Sequence, residues 1–153
     1  MTETHYVKSG DISIAYRVMG TKEPTLLMVP GDSQRLISQF GGRVVEVLGD
    51  GVLAEFPAPG EALRATRALV KGARIQGLQI RAGLHAGEVY QVGERLIGIC
   101  VNAAARVADR AGAGEVLTTE IVRGLVEGGD FNFEDAGEFD LEGIGTRRLV
   151  RLV

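Results

Sequence analysis

The sequence predicts a mixed α+β domain, and three stretches carry that prediction. Residues 42–56 hold two runs of alternating apolar and polar residues around Gly49-Asp50-Gly51, the pattern of a β-hairpin. Residues 59–73 place Ala62, Ala65, Thr66, Leu69, Val70 and Ala73 on one helical face and Arg64, Arg67, Lys71 and Arg74 on the other. Residues 131–141 and 147–153 alternate like strands and predict a closing antiparallel pair.

Bulk properties narrow the function classes. A chain of 153 residues is long enough to bury one continuous core without staples. Cys100 is the single cysteine, so no disulfide forms within the chain, which fits a reducing compartment. Net charge −3 and a pI of about 5.4, with lysines and arginines scattered, give no basic footprint for nucleic acid. The first residues lack the apolar core of a signal peptide, and the longest apolar run, 26–30, is far too short to span a bilayer. The expectation is a cytoplasmic protein with neither nucleic acid nor membrane as partner.

In chain order, residues 5–31 alternate like strands. Ile12, Ile14, Tyr16 and Val18 form one run, and 25–29, apolar on both faces, predicts a strand inside a sheet. His5-Tyr-Val-Lys-Ser-Gly-Asp-Ile-Ser-Ile-Ala-Tyr-Arg-Val-Met-Gly20 with Leu26-Leu-Met-Val-Pro-Gly31 resembles the opening strands of an α/β-hydrolase. No Gly-x-Ser-x-Gly elbow follows to present a nucleophile, so Ser33 and His85 make a poor esterase pair. Leu36, Ile37 and Phe40 predict a short helix ending at Gly41-Gly42. After the hairpin and the amphipathic helix, 78–90 reads as a strand bent at Gly83 and Gly87. Residues 101–111 read as a helix packing through Val101, Ala104, Ala105 and Ala108, small residues that permit close approach. A short strand at 115–118 and a short helix at 119–126 precede the closing pair.

From about Gln34 onward the chain resembles the later three-quarters of a class III nucleotidyl cyclase catalytic domain, of the kind seen in actinobacterial adenylate cyclases. The resemblance is carried by Phe40-Gly-Gly-Arg-Val-Val-Glu-Val-Leu-Gly-Asp-Gly-Val-Leu-Ala-Glu-Phe56, Ile80-Arg-Ala-Gly-Leu-His-Ala-Gly-Glu-Val89, Gly98-Ile-Cys-Val-Asn-Ala-Ala-Ala-Arg-Val-Ala108, Gly114-Glu-Val-Leu117 and Phe133-Glu-Asp-Ala-Gly-Glu-Phe-Asp-Leu-Glu-Gly143. It implies a ferredoxin-like βαββαβ core with a hairpin-like N-terminal addition. It also divides the chain into a hydrolase-like remnant, 1–32, whose strands are expected to complete the sheet, and a truncated cyclase homology domain, 33–153. Two such domains pair head to tail, as a homodimer or a heterodimer, and each site draws residues from both.

The implied chemistry is attack of a ribose 3′-hydroxyl of ATP or GTP on the α-phosphate, assisted by two Mg²⁺ or Mn²⁺ ions bridged by two aspartates. Asp50 matches the second metal aspartate. The segment that carries the first is absent. If 25–29 serves as the central strand, that position falls near Pro30, with Asp32 two residues, about 6.6 Å, further on. Asn102 and Arg106 match the transition-state pair, and their i, i+4 spacing puts them on one helical face; an Arg106–Asp109 surface pair is the plain alternative. Glu46 stands where adenylate cyclases carry an adenine-reading lysine, and Arg95 stands at its partner position. Together they complement guanine, or else they bond each other or face solvent. Glu142 replaces a phosphate-side lysine.

These departures lead to the expectation of a catalytically degenerate cyclase domain. Two other readings remain: a non-metal half-site partner in a heterodimeric cyclase, supplying Glu46, Arg95, Asn102 and Arg106, and a weakly active cyclase using Asp50 and Asp32.

Overall fold

The computed structural model describes residues 8–9, 12–20, 30–48 and 51–153, with the backbone alone for residues before 33 and for Leu48. The described elements are β1 (Lys8–Ser9), β2 (Ile12–Gly20), α1 (Pro30–Gln39), β3 (Arg43–Leu48), β4 (Gly51–Glu55), α2 (Pro59–Ile75) and β5 (Ile80–Gly87). They continue with β6 (Tyr90–Val92), β7 (Arg95–Ile97), α3 (Ile99–Arg110), β8 (Val116–Thr119), α4 (Glu120–Leu125), β9 (Phe133–Leu141) and β10 (Gly145–Leu152).

Strand order in the main sheet is β3-β4-β2-β5-β8-β10-β9, with β1 paired to β2. β2 runs antiparallel to both neighbours: Met19 pairs with Gly51 on β4, and Ile14 with Ala86 on β5. The sequence of elements β2-α1-β3-β4-α2-β5, with this spatial order, is the ferredoxin-like βαββαβ arrangement. The N-terminal hairpin β1–β2 is therefore no appendage, because its second strand is the first strand of the core. That place was expected for residues 25–29, which lie outside the described residues. Pro30 begins a helix rather than ending a strand, as its fixed φ allows in a first turn.

Period-two alternation sends neighbouring side chains into different layers. Val52 and Ala54 of β4, with Ile80, Ala82, Leu84 and Ala86 of β5, join Ile37, Leu63 and Leu69 in a core under α1 and α2. Leu53 faces the other way, into a cluster with Val89, Cys100 and Ala104 beneath α3. A third cluster, Val107, Leu117, Leu141 and Leu149, ties α3 to β8 and β10. Each fully buried leucine or phenylalanine contributes about 1.5–3 kcal/mol. An exposed ion pair such as Arg43–Glu55 or Arg123–Glu120 contributes only about 0.2–1 kcal/mol. The two apolar layers, not the surface charges, hold the fold.

The small-residue face of α3 is rotated slightly from expectation: Cys100, Ala103, Ala104, Val107 and Ala108 are buried, with Val101 and Ala105 partly so. The close approach itself is present at Gly83, where a Cβ would fall on the backbone nitrogen of Ala108. Sequence periodicity missed the β6–β7 hairpin, whose tight turn places Gly93 at φ 63°, a conformation glycine adopts without strain. Among the described residues no helix is long and apolar enough to cross a membrane.

Two outcomes follow from this packing. Gly83→Ala must push α3 off the sheet and is expected to cost about 1–3 kcal/mol or more, read as a lower denaturation midpoint with an unchanged slope. Removing residues 1–29 deletes β2 and opens both β4 and β5 to solvent; the shortened chain is expected to aggregate. A soluble truncation with a sharp melting transition would contradict the central role of β2.

Candidate functional site

The hairpin β3–β4 closes with Leu48 opposite Gly51, and Asp50 between them lies outside the described residues. The ladder of β2 reaches the base of this tip through Met19↔Gly51. The strand beside the tip reads Ile-Ser-Ile-Ala-Tyr-Arg-Val-Met-Gly and contains no carboxylate. Asp32, the other candidate ligand, falls in the first turn of α1, and its side chain also lies outside the described set. Among the described residues no group of three or more His, Cys, Asp or Glu side chains is placed to hold a metal ion.

Helix α3 presents Asn102 and Arg106 on the face opposite its buried alanines, Asn102 exposed and Arg106 half-buried. Arg106 is engaged on two sides. One guanidinium nitrogen lies 3.7 Å from Asp109 Oδ2, and the other lies 3.6 Å from Glu142 Oε2 in the β9–β10 turn. The surface pair with Asp109 therefore exists, joined by a second carboxylate that sequence inspection had not linked to it. Arg110 fastens the same turn, donating to the Asp140 carbonyl at 2.8 Å and stacking over Phe139. The α3 face thus offers an amide and a guanidinium side by side, with the cation already balanced by Asp109 and Glu142.

Glu46 on β3 and Arg95 on β7 are both exposed, and no ion pair joins them among the described residues. Their neighbours Val45 and Leu96 pack into the same apolar cluster under α3. A bulge between Val44 and Glu46 resets the register of β3 just there, the kind of irregularity that re-aims a side chain.

Ser33 and His85 lie on opposite faces of the sheet. Ser33 is buried in a small pocket between α1 and α2, whereas His85 shares the α3 face with Gly83 and Gly87. His85 Nδ1 sits 2.8 Å from Thr119 Oγ1. Burial, with a smaller push from the Arg147 charge, lowers its pKa from 6.5 to about 4. Neutral His85 is thus favoured in the fold while the unfolded chain takes up a proton below pH 6.5. Its share of stability is complete above pH 6.5 and is lost as pH falls toward 4, by about 3 kcal/mol at most. Melting curves between pH 7 and 4 should therefore fall more steeply for the native protein than for His85→Gln.

The β6–β7 hairpin and the start of α3 expose Tyr90, Val92, Ile97 and Ile99, at 61%, 59%, 46% and 75%. Tyr90 and Val92 alternating before Gly93, with Arg95-Leu-Ile97 after it, was the sequence signal available for this arm.

No protein-family model matches the chain. An uncharacterized protein of Mycobacterium tuberculosis (strain H37Rv) is 33% identical over 115 residues, which is 67% of this chain and 30% of that relative. The chain thus spans less than a third of that relative's length. The catalytic core of a rhodopsin-guanylyl cyclase with converted specificity, solved in complex with ATPαS, superposes at a TM-score of 0.82. Identity with it is 18%, covering 99% of this chain and 98% of that one. An adenylyl cyclase of P. aeruginosa superposes at a TM-score of 0.76 with 17% identity, over 100% of this chain and 95% of that one. The chain has the fold of class III adenylate and guanylate cyclase catalytic domains.

Proposed function

We propose that this chain is a nucleotidyl cyclase homology domain that is catalytically degenerate on its own. One observation carries the reading: the strand in the central position, running to the base of the Asp50 hairpin, brings no carboxylate. Two cations close together near a triphosphate need paired carboxylates to bridge them. Among the described residues no strand beside the hairpin supplies the second carboxylate of that donor set, which speaks against a two-ion Mg²⁺ or Mn²⁺ site. Glu142 beside Arg106 adds a negative charge where a triphosphate would have to approach. Both features act against nucleotide turnover by a homodimer.

A second reading is favoured by the α3 face, which keeps Asn102 exposed and Arg106 partly so while requiring no metal of its own. In that arrangement the chain serves as the non-metal half of a heterodimeric cyclase. Glu46 and Arg95 would select the base, Asn102 would orient the ribose, and Arg106 would stabilise charge developing on the α-phosphate. Dimerisation in either reading is supported by the apolar residues of the β6–β7 arm, which are too exposed for a free surface of this size to favour.

The test is cyclic nucleotide formation from ATP and from GTP with Mn²⁺, compared with Asp50→Ala. The expected outcome is no activity above that control. Activity that disappears in Asp50→Ala would replace this reading with a working cyclase. The half-site reading is checked by mixing the chain with an intact cyclase domain crippled at its own Asn/Arg pair. Restored turnover that is lost with Arg106→Ala is the outcome expected of a half-site partner.

A further inference from the structure

The four cations on the outer face of α2 are not equivalent. Arg64 pairs with Glu61 and Asp130, Arg67 lies 3.8 Å from the other Asp130 oxygen, and both arginines stack on the Phe131 ring, from 5.4 and 5.3 Å. Lys71 and Arg74 have no ion pair among the described residues. With Arg67 they border a groove of about 600 Å³ between α2 and the ends of β8 and β10. Val70, Val116 and Leu152 line it, and Ile75 and Val153 extend it as exposed apolar edges. No acidic side chain lines this groove. The helix dipole accounts for a cation in the last turn, which is Arg74. It does not account for Lys71, one turn earlier, whereas Arg67, two turns earlier, is held by Asp130 and the Phe131 ring.

We propose that this groove binds an acidic, apolar peptide segment of a partner protein. Lys71 and Arg74, with Arg67 at one end sharing its charge with Asp130, follow one another at i, i+4 and i+7 in a row about 10 Å long. A row of that length matches several carboxylates spaced along a chain, whereas a single carboxylate on a small amphiphile meets only one cation. The apolar floor takes the alternate side chains of such a segment. Nucleic acid fits poorly, because the groove has no aromatic ring on which a base could stack. The volume is sufficient for a few side chains, so affinity is modest and salt-dependent, since every cation of the row is solvent-exposed. The surface lies on the α2 side of the sheet, away from α3, and the inference does not depend on the cyclase reading.

The experiment is panning of a random dodecapeptide display library against the whole chain, with counter-selection against Lys71→Glu/Arg74→Glu. Surviving peptides are expected to combine at least two acids with large apolar residues. Synthesised, they should bind the native chain at least tenfold more tightly than the charge-reversed variant, and at least fivefold more tightly in 50 mM than in 500 mM salt. Ile75→Ser should weaken binding severalfold. All three changed residues are exposed, and melting curves matching the native chain would show that the variants fold. The proposal is overturned if no peptide survives counter-selection, if survivors are neutral or basic, or if reversal of both charges leaves affinity unchanged. Binding of dodecanoate in place of any peptide would likewise overturn it in favour of a small amphiphile.

Discussion

Backbone pairing along β2 is the constraint on which the rest of the structure depends. A central strand must satisfy hydrogen bonds on both edges, and β2 does so against β4 and β5 at once. Without it, β3–β4 is a separate two-stranded ribbon, marginal by itself, and the α1 and α2 layer has no continuous floor. The same placement decides which strand runs to the base of the hairpin, at Met19↔Gly51. A segment recruited for its capacity to pair satisfies the sheet whether or not it carries a carboxylate. Sheet pairing and metal ligation thus make separate demands on the same strand.

Close packing on the α3 side depends on glycine and alanine. Gly83 lets the helix backbone descend onto β5, and the alanines of α3 keep it there. Lowering the helix in this way presents Asn102 and Arg106 at a fixed height above the sheet edge, with Glu142 and Asp140 of the β9–β10 turn fastened to the same helix. A carboxylate at 142 therefore acts locally, through the charge on Arg106, rather than through packing.

Much of this was legible in the sequence. The hairpin, α2 and the closing strands announced themselves through periodicity, and the family resemblance supplied the βαββαβ order that the sheet displays. The identity of the central strand was not legible. Residues 25–29 are the more apolar run, and burial on both faces argued for them, yet the place is occupied by 12–20. Apolarity reports burial, not partner choice, and strand register is a long-range property that no local window contains. The contact of Arg106 with Glu142 was hidden for the same reason: the residues are far apart in sequence and meet only once β9 and β10 have folded back. The groove beside α2 escaped notice because its cations looked like an ordinary solvated face until their neighbours could be seen to be apolar.

The pairing of β2 with β5 also bears on how the polypeptide leaves the ribosome. Ile14 meets Ala86, and Gly20 meets Ile80, so β2 has to wait until residues beyond 80 have emerged. Loops of that span close slowly, and strands awaiting partners are exposed to neighbouring chains. Until then β2 has its short pairing with β1 to satisfy part of one edge.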